Sequence, residues 1–497
     1  MSSASLKEYE DSDEEETLLT TVEYYTLDNM IEKTGGFGRL QIAILVCMLI
    51  ANIPTAFYSY GLPVLEQFPD YVCTTDSGMD YRCKRNQICI NGMPKESMIW
   101  GINWDSSRSI NNWVDEMDLM CATKFQIGLF GSIYFLGFAF SGVFLKFSDH
   151  FGRRKIIQVG CLFSCFIVTY LYSFSGLYAR YTMLFCLGAL SFRLLALYIL
   201  ISELCPVQYR IYVSAGYALI DHYIGVLLPA IYFRFIGKDY KVIFSCAVFA
   251  APLSFILSMF LPESPRYLYE KRKIDQLRKE FEKIAEFNRV RIPSKYELIL
   301  NDGTSVEDDD NNFNRNLCKM IKNFKICMNL LVSTLTVSIV SLDNNLLQYH
   351  SKYFQANNYD VAFLMLHAEI IGTIIAVFLR KWLSTRVLIV LSFLLISACT
   401  LPLILIPQVD STTMISVFGC QMGISMVFYL SLLNISENFP PLFVALAFFV
   451  CNLCGSMANI FSPILAEATH PVPMKIMFGA SIAQGLLNII YKPKIST

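Results

Sequence analysis

The sequence predicts an all-α polytopic membrane protein, and three observations carry that prediction. The 497 residues are 54% hydrophobic and only 16% charged, against roughly 25% charged in soluble domains. The mean hydropathy is +0.45. The apolar residues also gather into runs near the length, about 20 residues, that a helix needs to cross hydrocarbon. Lys+Arg and Asp+Glu total 40 and 41, so no global basic field points to nucleic acid. Composition thus excludes a DNA-binding protein, a secreted disulfide scaffold and most cytosolic enzymes.

Residues 1–39 open the chain as an acidic tail, with the run DSDEEE at Asp11–Glu16. That run lacks the basic character of a signal or transit peptide and reads as a solvated cytosolic segment. Six apolar runs follow, near 40–60, 125–146, 157–175, 182–203, 212–235 and 241–261. A charged segment, 263–325, then holds 14 Lys/Arg and 12 Asp/Glu. Six more runs come after it, near 327–347, 361–379, 387–407, 412–434, 441–465 and 473–491, leaving a short tail at 492–497. The chain therefore divides into halves at 40–262 and 326–491, with twelve spans. The runs are too long and too evenly apolar for barrel strands.

Orientation follows from Lys and Arg in the short loops. Lys146, Arg153, Arg154 and Lys155 follow span 2, Arg210 follows span 4, and Arg380, Lys381 and Arg386 follow span 8. Even-numbered spans should therefore end in the cytosol, together with both termini and residues 263–325; the plasma membrane is the expected location. Lys238 and Lys241 run against this trend. The long loop 61–124 should face outward, with Cys73, Cys83, Cys89 and Cys121. Four cysteines on an oxidising face suggest two disulfides, in any of three pairings. Their spacing lacks the CxxC pairs of a zinc site, so no metal is expected.

Three corners on the cytosolic side carry paired charges. Between spans 2 and 3 stand Asp149, Gly152, Arg153 and Arg154, a tight turn with an acid on one side and bases on the other. Span 4 ends at Glu203 with Arg210 beyond it, and span 6 is followed by Glu263 with Arg266. A carboxylate at a helix C-terminus opposes the macrodipole, and an Arg a few residues on would repair that. Such pairs can hold one state of a moving helix bundle and break in another.

These residues resemble the organic cation/anion/zwitterion transporter family of the major facilitator superfamily, over about residues 40–490. Asp118–Cys121 (DLMC) resembles the family's first-loop ending, Ser148–Arg154 its loop-2/3 signature, Tyr198–Glu203 its fourth span and Pro262–Arg266 its PESPR box. Asn52–Phe57 is similar to its first span. The second half departs from the pattern. Arg380 stands where the family has an acid, Glu437 opens the span-10 counterpart, and Val444 occupies the place of an Arg. The resemblance implies the major facilitator fold, two six-helix bundles around a midplane cavity that works by alternating access.

Ionisable residues inside spans are expensive and default to functional candidates. Here they are Arg193, Asp221, His222, Asp343 and Glu369. The resemblance places Glu369 in the eighth span, whose acid faces the cavity. Tyr198, Tyr349 and Tyr429 could add cation–π contacts to an ammonium group. Acids outnumber bases in this set, which favours an organic cation or zwitterion. An organic anion exchanger and a transport-inactive receptor or scaffold are the alternatives. Partners are then a small organic ion, the lipid bilayer and a coupling ion if transport is coupled, with no nucleic acid. There is no G-x-x-x-x-G-K-[ST] loop, H-E-x-x-H or G-x-S-x-G, so neither enzyme activity nor a cofactor is expected.

Overall fold

Each apolar run becomes a helix because backbone in hydrocarbon must satisfy its own hydrogen bonds. The computed structural model describes residues 23–75, 78–90, 92–95, 99–145, 147–293, 296–298, 320, 322–354, 358–406, 410–439 and 441–491. Eleven helices among them are long and apolar enough to span a membrane. The remaining one, span 5, is the 25-residue helix Val207–Ile231, continued by a π-turn at Tyr232–Ile236. At 1.5 Å per residue it is about 38 Å long.

The first half comprises span 1 (Arg39–Leu65), span 2 (Lys124–Leu145), span 3 (Arg153–Ser173), span 4 (Leu177–Ala189 with Phe192–Glu203), span 5 and span 6 (Tyr240–Ser258). The second comprises span 7 (Phe324–His350), span 8 (Asn358–Leu379), span 9 (Thr385–Leu405), span 10 (Asp410–Asn438), span 11 (Pro441–Asn459 with Ser462–Ala466) and span 12 (Val472–Ile490). In the first half, span 1 packs on span 5, span 2 on span 4 and span 3 on span 6. The second repeats this six spans later: 7 on 11, 8 on 10 and 9 on 12. The halves meet where span 2 touches span 11 and span 5 touches span 8, two contacts that the same repeat interchanges. That is the symmetry of a parallel internal repeat, two six-helix halves about an axis along the membrane normal.

On the face bearing the cysteines, Tyr71–Thr74 is the middle strand of a three-stranded antiparallel sheet, with Tyr71 opposite Cys83 on one side and Ile102 on the other. The disulfides are Cys73–Cys83 and Cys89–Cys121. Trp113 anchors this cap: it is fully buried against Tyr58 and Phe130, with the Arg180 guanidinium 4.7 Å from its ring.

The opposite face is more ordered than its charge suggests. Among the described residues of 263–325 are the helices Pro265–Glu270 and Ile274–Asn288. The second buries Leu277, Phe281 and Ile284 in one cluster with Met30 and Ile31 of the short helix Leu27–Lys33. A parallel strand pair, Glu23–Tyr25 with Tyr296–Leu298, joins the same two segments. The Asp11–Glu16 run lies outside the described residues.

Candidate functional site

A cavity lies between the halves, walled by spans 1, 5, 7, 8 and 10. Its polar side chains are Gln67, Asn344, Gln348, Ser351, Lys352 and Gln421, with Tyr60 and Tyr359 as aromatic walls. Gln421 Nε2 donates to Asn344 Oδ1 at 3.0 Å and ties span 10 to span 7. On span 8 the lining residues are Ala362, Met365 and Leu366. Glu369 lies three residues past Leu366 and seven past Ala362, so it continues that stripe one turn deeper. Its side chain is half-buried, and Tyr223 of span 5 is near enough to interact with it electrostatically.

The other in-span candidates are placed differently. Asp343 is fully buried beyond the cavity wall, accepting from Ser481 Oγ of span 12 at 2.9 Å. One residue turns a helix by about 100°, so its neighbour Asn344 faces the cavity instead. Arg193 braces the first half internally: its guanidinium donates to Ala51 O (3.0 Å), Thr55 Oγ1 (2.7 Å) and Leu190 O (3.3 Å). Tyr349 is buried edge-on to Phe135 of span 2, its hydroxyl against Gly131. Tyr198 and Tyr429 are half-buried and pack on the cores of spans 4 and 10. The side chains of Asp221, His222 and Asp149 lie outside the described residues.

The charged corners pair across elements rather than along the chain. Glu203 does not wait for Arg210: it meets Arg153 at 3.3 Å and accepts the Ser264 hydroxyl. Glu263 caps the N-terminus of span 3, accepting the backbone amides of Arg153 (2.9 Å) and Arg154 (3.2 Å), where the helix dipole favours an anion. Gly152, at φ +95°, admits it; a Cβ there would sit 2.4 Å from Glu263 Oε2. Arg154 reaches Met259 O at 2.6 Å. Arg210 and Arg266 both turn to Asp28, at 3.4 and 2.8 Å. In the second half, Arg380 and Glu437 pair with each other at 2.6 Å, and Thr385 Oγ1 donates to the same carboxylate at 2.7 Å. Arg380, which stands where the family has an acid, thus finds its partner in Glu437 of span 10.

The cysteine-bearing face carries charges that sequence reasoning passed over. Lys352 of span 7 meets Glu66 at 3.2 Å and Glu467 at 2.5 Å, all three nearly fully buried. Arg234 meets Asp360 at 3.2 Å, and Arg108 donates to Phe354 O. The Lys352–Glu66, Arg234–Asp360 and Arg108–Phe354 links join the two halves, and Lys352–Glu467 lies within the second. Hydropathy windows ended span 1 near 60 and span 7 near 347, which placed Glu66 and Lys352 in loops. Glu467, one residue past the end of span 11, escaped in the same way. Lys238 and Lys241 also find partners here: Lys238 caps the Trp104 and Ser106 carbonyls, and Lys241 meets Glu116 at 3.0 Å. Arg180 and Tyr240 bind the same Glu116 carboxylate. Burial alone would raise Glu116, but the Tyr240 hydroxyl, Arg180 and Lys241 hold its carboxyl below the usual range.

Two symmetry-related helical halves, a polar cavity on their seam and ion pairs at both ends define a multi-pass membrane transporter, not an enzyme. The chain belongs to the Major Facilitator Superfamily, whose family model matches residues 95–463. It is similar to an organic cation transporter-like protein of Drosophila melanogaster, 22% identical over 95% of this chain and 91% of that one. It is equally similar to organic cation/carnitine transporter 2 of Mus musculus, 22% identical over 93% and 91%. Organic cation transporter 1 of Caenorhabditis elegans is 23% identical over 95% and 87%. Among solved structures, the E. coli xylose transporter XylE in its inward-open conformation shares the fold, with a TM-score of 0.59 at 14% identity over 92% of this chain and 95% of that one.

Proposed function

We propose that the chain carries small organic cations or zwitterions across the plasma membrane by alternating access, facilitated or ion-coupled. The cysteine-bearing face is outside, and both termini are cytosolic. The single observation that carries the cation reading is Glu369, half-buried on the stripe that lines the cavity. Tyr60 and Tyr359 can add cation–π attraction for an ammonium head, and the Asn344, Gln348 and Gln421 amides can bond the polar remainder. Among the described lining residues, the cation Lys352 is already held by Glu66 and Glu467, which argues against an anion. The names of the relatives point the same way. Asp149, Gly152, Arg153, Arg154, Glu203, Arg210, Glu263, Arg266 and Glu437 serve as the cytosolic gate.

Proteoliposome uptake of a labelled quaternary ammonium, a betaine and an aromatic carboxylate tests this. Glu369→Gln should lower uptake of the first two by about 10- to 100-fold, the worth of a charge-assisted bond of about 1.5–3 kcal/mol, with reconstituted protein unchanged. Carboxylate uptake indifferent to that substitution would instead establish the anion exchanger. Ligand binding with no uptake would establish the receptor.

A further inference from the structure

We propose that Glu66 is a proton-binding site at the outer seam between the halves, filled as the outer gate closes and emptied as it opens. The proposal rests on the alternating-access reading above. Glu66 lies just beyond the end of span 1 and its side chain is fully buried. Lys352, from the other half, is its ion-pair partner, yet that ammonium lies closer to Glu467, at 2.5 Å against 3.2 Å. Glu467 also takes the Tyr353 hydroxyl. Two buried carboxylates therefore share one ammonium, which donates to Glu66 Oε2 and lies nearer Glu467. Glu66 Oε1 and Glu467 Oε1 are both buried with no hydrogen-bond partner.

A buried carboxylate without adequate pairing neutralises rather than stay charged. One proton on Glu66 Oε1, taken from the outer solution to convert carboxylate to carboxylic acid, gives the Glu66–Lys352–Glu467 set zero net charge. The other groups facing Glu66 do not supply that charge. They are the phenols of Tyr349 (span 7) and Tyr181 (span 4) and the Gly131 amide of span 2. Arg85 of the outer cap interacts with Glu467 and Tyr353, is bonded to Met120 O and lies over the Phe68 ring. Lys124 sits 5.6 Å from the Tyr353 ring. His350 and His470 stack beside the cluster, with His350 bonded to Ala466 O at 2.8 Å.

Burial pushes Glu66 up to about 8, Lys352 pulling it down and Glu467 pushing it further up. Opening the gate parts Glu66 from the second half and returns water to it, so it falls toward the ordinary glutamate value of about 4.3. The closed gate then holds the proton more tightly than the open one. External acid favours closure, and raising the external pH between those two values favours opening.

Two measurements on the full-length protein test this. Infrared spectra of the purified protein near pH of about 6.5 should show a protonated-carboxyl band that Glu66→Gln removes. Glu467→Gln should remove it too, because it leaves Glu66 and Lys352 as a one-to-one pair, whereas His470→Gln should keep it. Tetraethylammonium uptake into proteoliposomes should vary about tenfold with external pH in the parent, one unit of proton affinity being tenfold, and should be flat in Glu66→Gln. Identical spectra for parent and Glu66→Gln would overturn the proposal, as would a band that survives Glu467→Gln. If the parent carries no ion at all, the transport reading fails while the spectra still decide the proton.

Discussion

Closure of the cysteine-bearing face depends on a backbone contact that one methyl group should break. Gly128 of span 2 faces span 11: a Cβ there would sit 2.9 Å from Ile464 Cα, 3.0 Å from Pro463 O and 3.2 Å from Ile464 N. All three are backbone atoms, so none can rotate away, and the two helices would have to part by about half an ångström to reach ordinary contact. Overpacking of this kind costs about 1–3 kcal/mol. The cost falls on the closed state alone, because the open state separates these helices. The gain in helix propensity from Gly to Ala is common to both states and cancels. Gly128→Ala should therefore shift the balance toward outer-open by about 5- to 150-fold. The assay is labelling of a cysteine introduced at Gln67, on the cavity wall, by a membrane-impermeant maleimide added outside, with the parent protein as background. Labelling should rise and uptake should slow, since the cycle now stalls before closing. Gly142→Ala on the same span is the control, its Cβ meeting only the Phe449 ring at 4.0 Å. Unchanged labelling in Gly128→Ala, or an equal rise in Gly142→Ala, would refute the reasoning.

Three further outcomes are expected. Arg380→Glu and Glu437→Arg should each lower uptake and the double swap should restore it; because both side chains are more than a third exposed, the coupling measured by the cycle should be only about 1 kcal/mol. Cys89→Ser opens a 32-residue loop and should cost the outer cap about 4 kcal/mol on chain entropy, against about 3 kcal/mol for the 10-residue Cys73–Cys83 loop; protease resistance of the cap on intact cells ranks the two. The depressed Glu116 carboxyl contributes stability that is fully present above its unfolded value of about 4.3 and is lost as pH falls through its lower folded value. Thermal unfolding of the reconstituted protein should accordingly fall more steeply in acid for the parent than for Glu116→Gln.

The spans were legible because hydrocarbon imposes a length and a composition that no tertiary context overrides. Side-chain direction was legible only in part. Reading ionisable residues as the site put Glu369 first and kept Asp343 as a candidate, yet Asp343 faces Ser481 while the cavity takes the uncharged Asn344, Gln348 and Gln421. Amides carry no hydropathy alarm, and only the helical phase separates position 343 from 344. The segment 274–288 was passed over as charged, although Leu277, Phe281 and Ile284 already recur at helical spacing. The pairing of Arg380 with Glu437 was not legible, since the two lie 57 residues apart and Arg380 looks like a loss when compared with the family motif alone.

The two faces hold charge in physically different ways, and that difference explains why one half could depart from the motif. On the face opposite the cysteines, Arg153–Glu203 and Arg380–Glu437 each lie within a half, and Asp28 ties the N-terminal segment to Arg210 and Arg266 of the first. Such pairs need not break when the halves rock; they lock loop to helix so that each bundle turns as one body. A lock of that kind depends only on opposite charges meeting, so Arg380, standing where the family has an acid, still does the job by pairing with Glu437. On the cysteine-bearing face, Lys352–Glu66, Arg234–Asp360 and the Arg108 bond to Phe354 O cross from one half to the other. Under alternating access these break in every cycle. Their sum, with the Gly128 contact, marks this structure as closed on the cysteine-bearing face, and the burial of Lys352 and Glu66 makes that link depend on the charge state of each member. The exposed clamps can therefore drift in sequence at little cost, whereas a change at Glu66, Lys352 or Glu467 alters the energy of the switch itself.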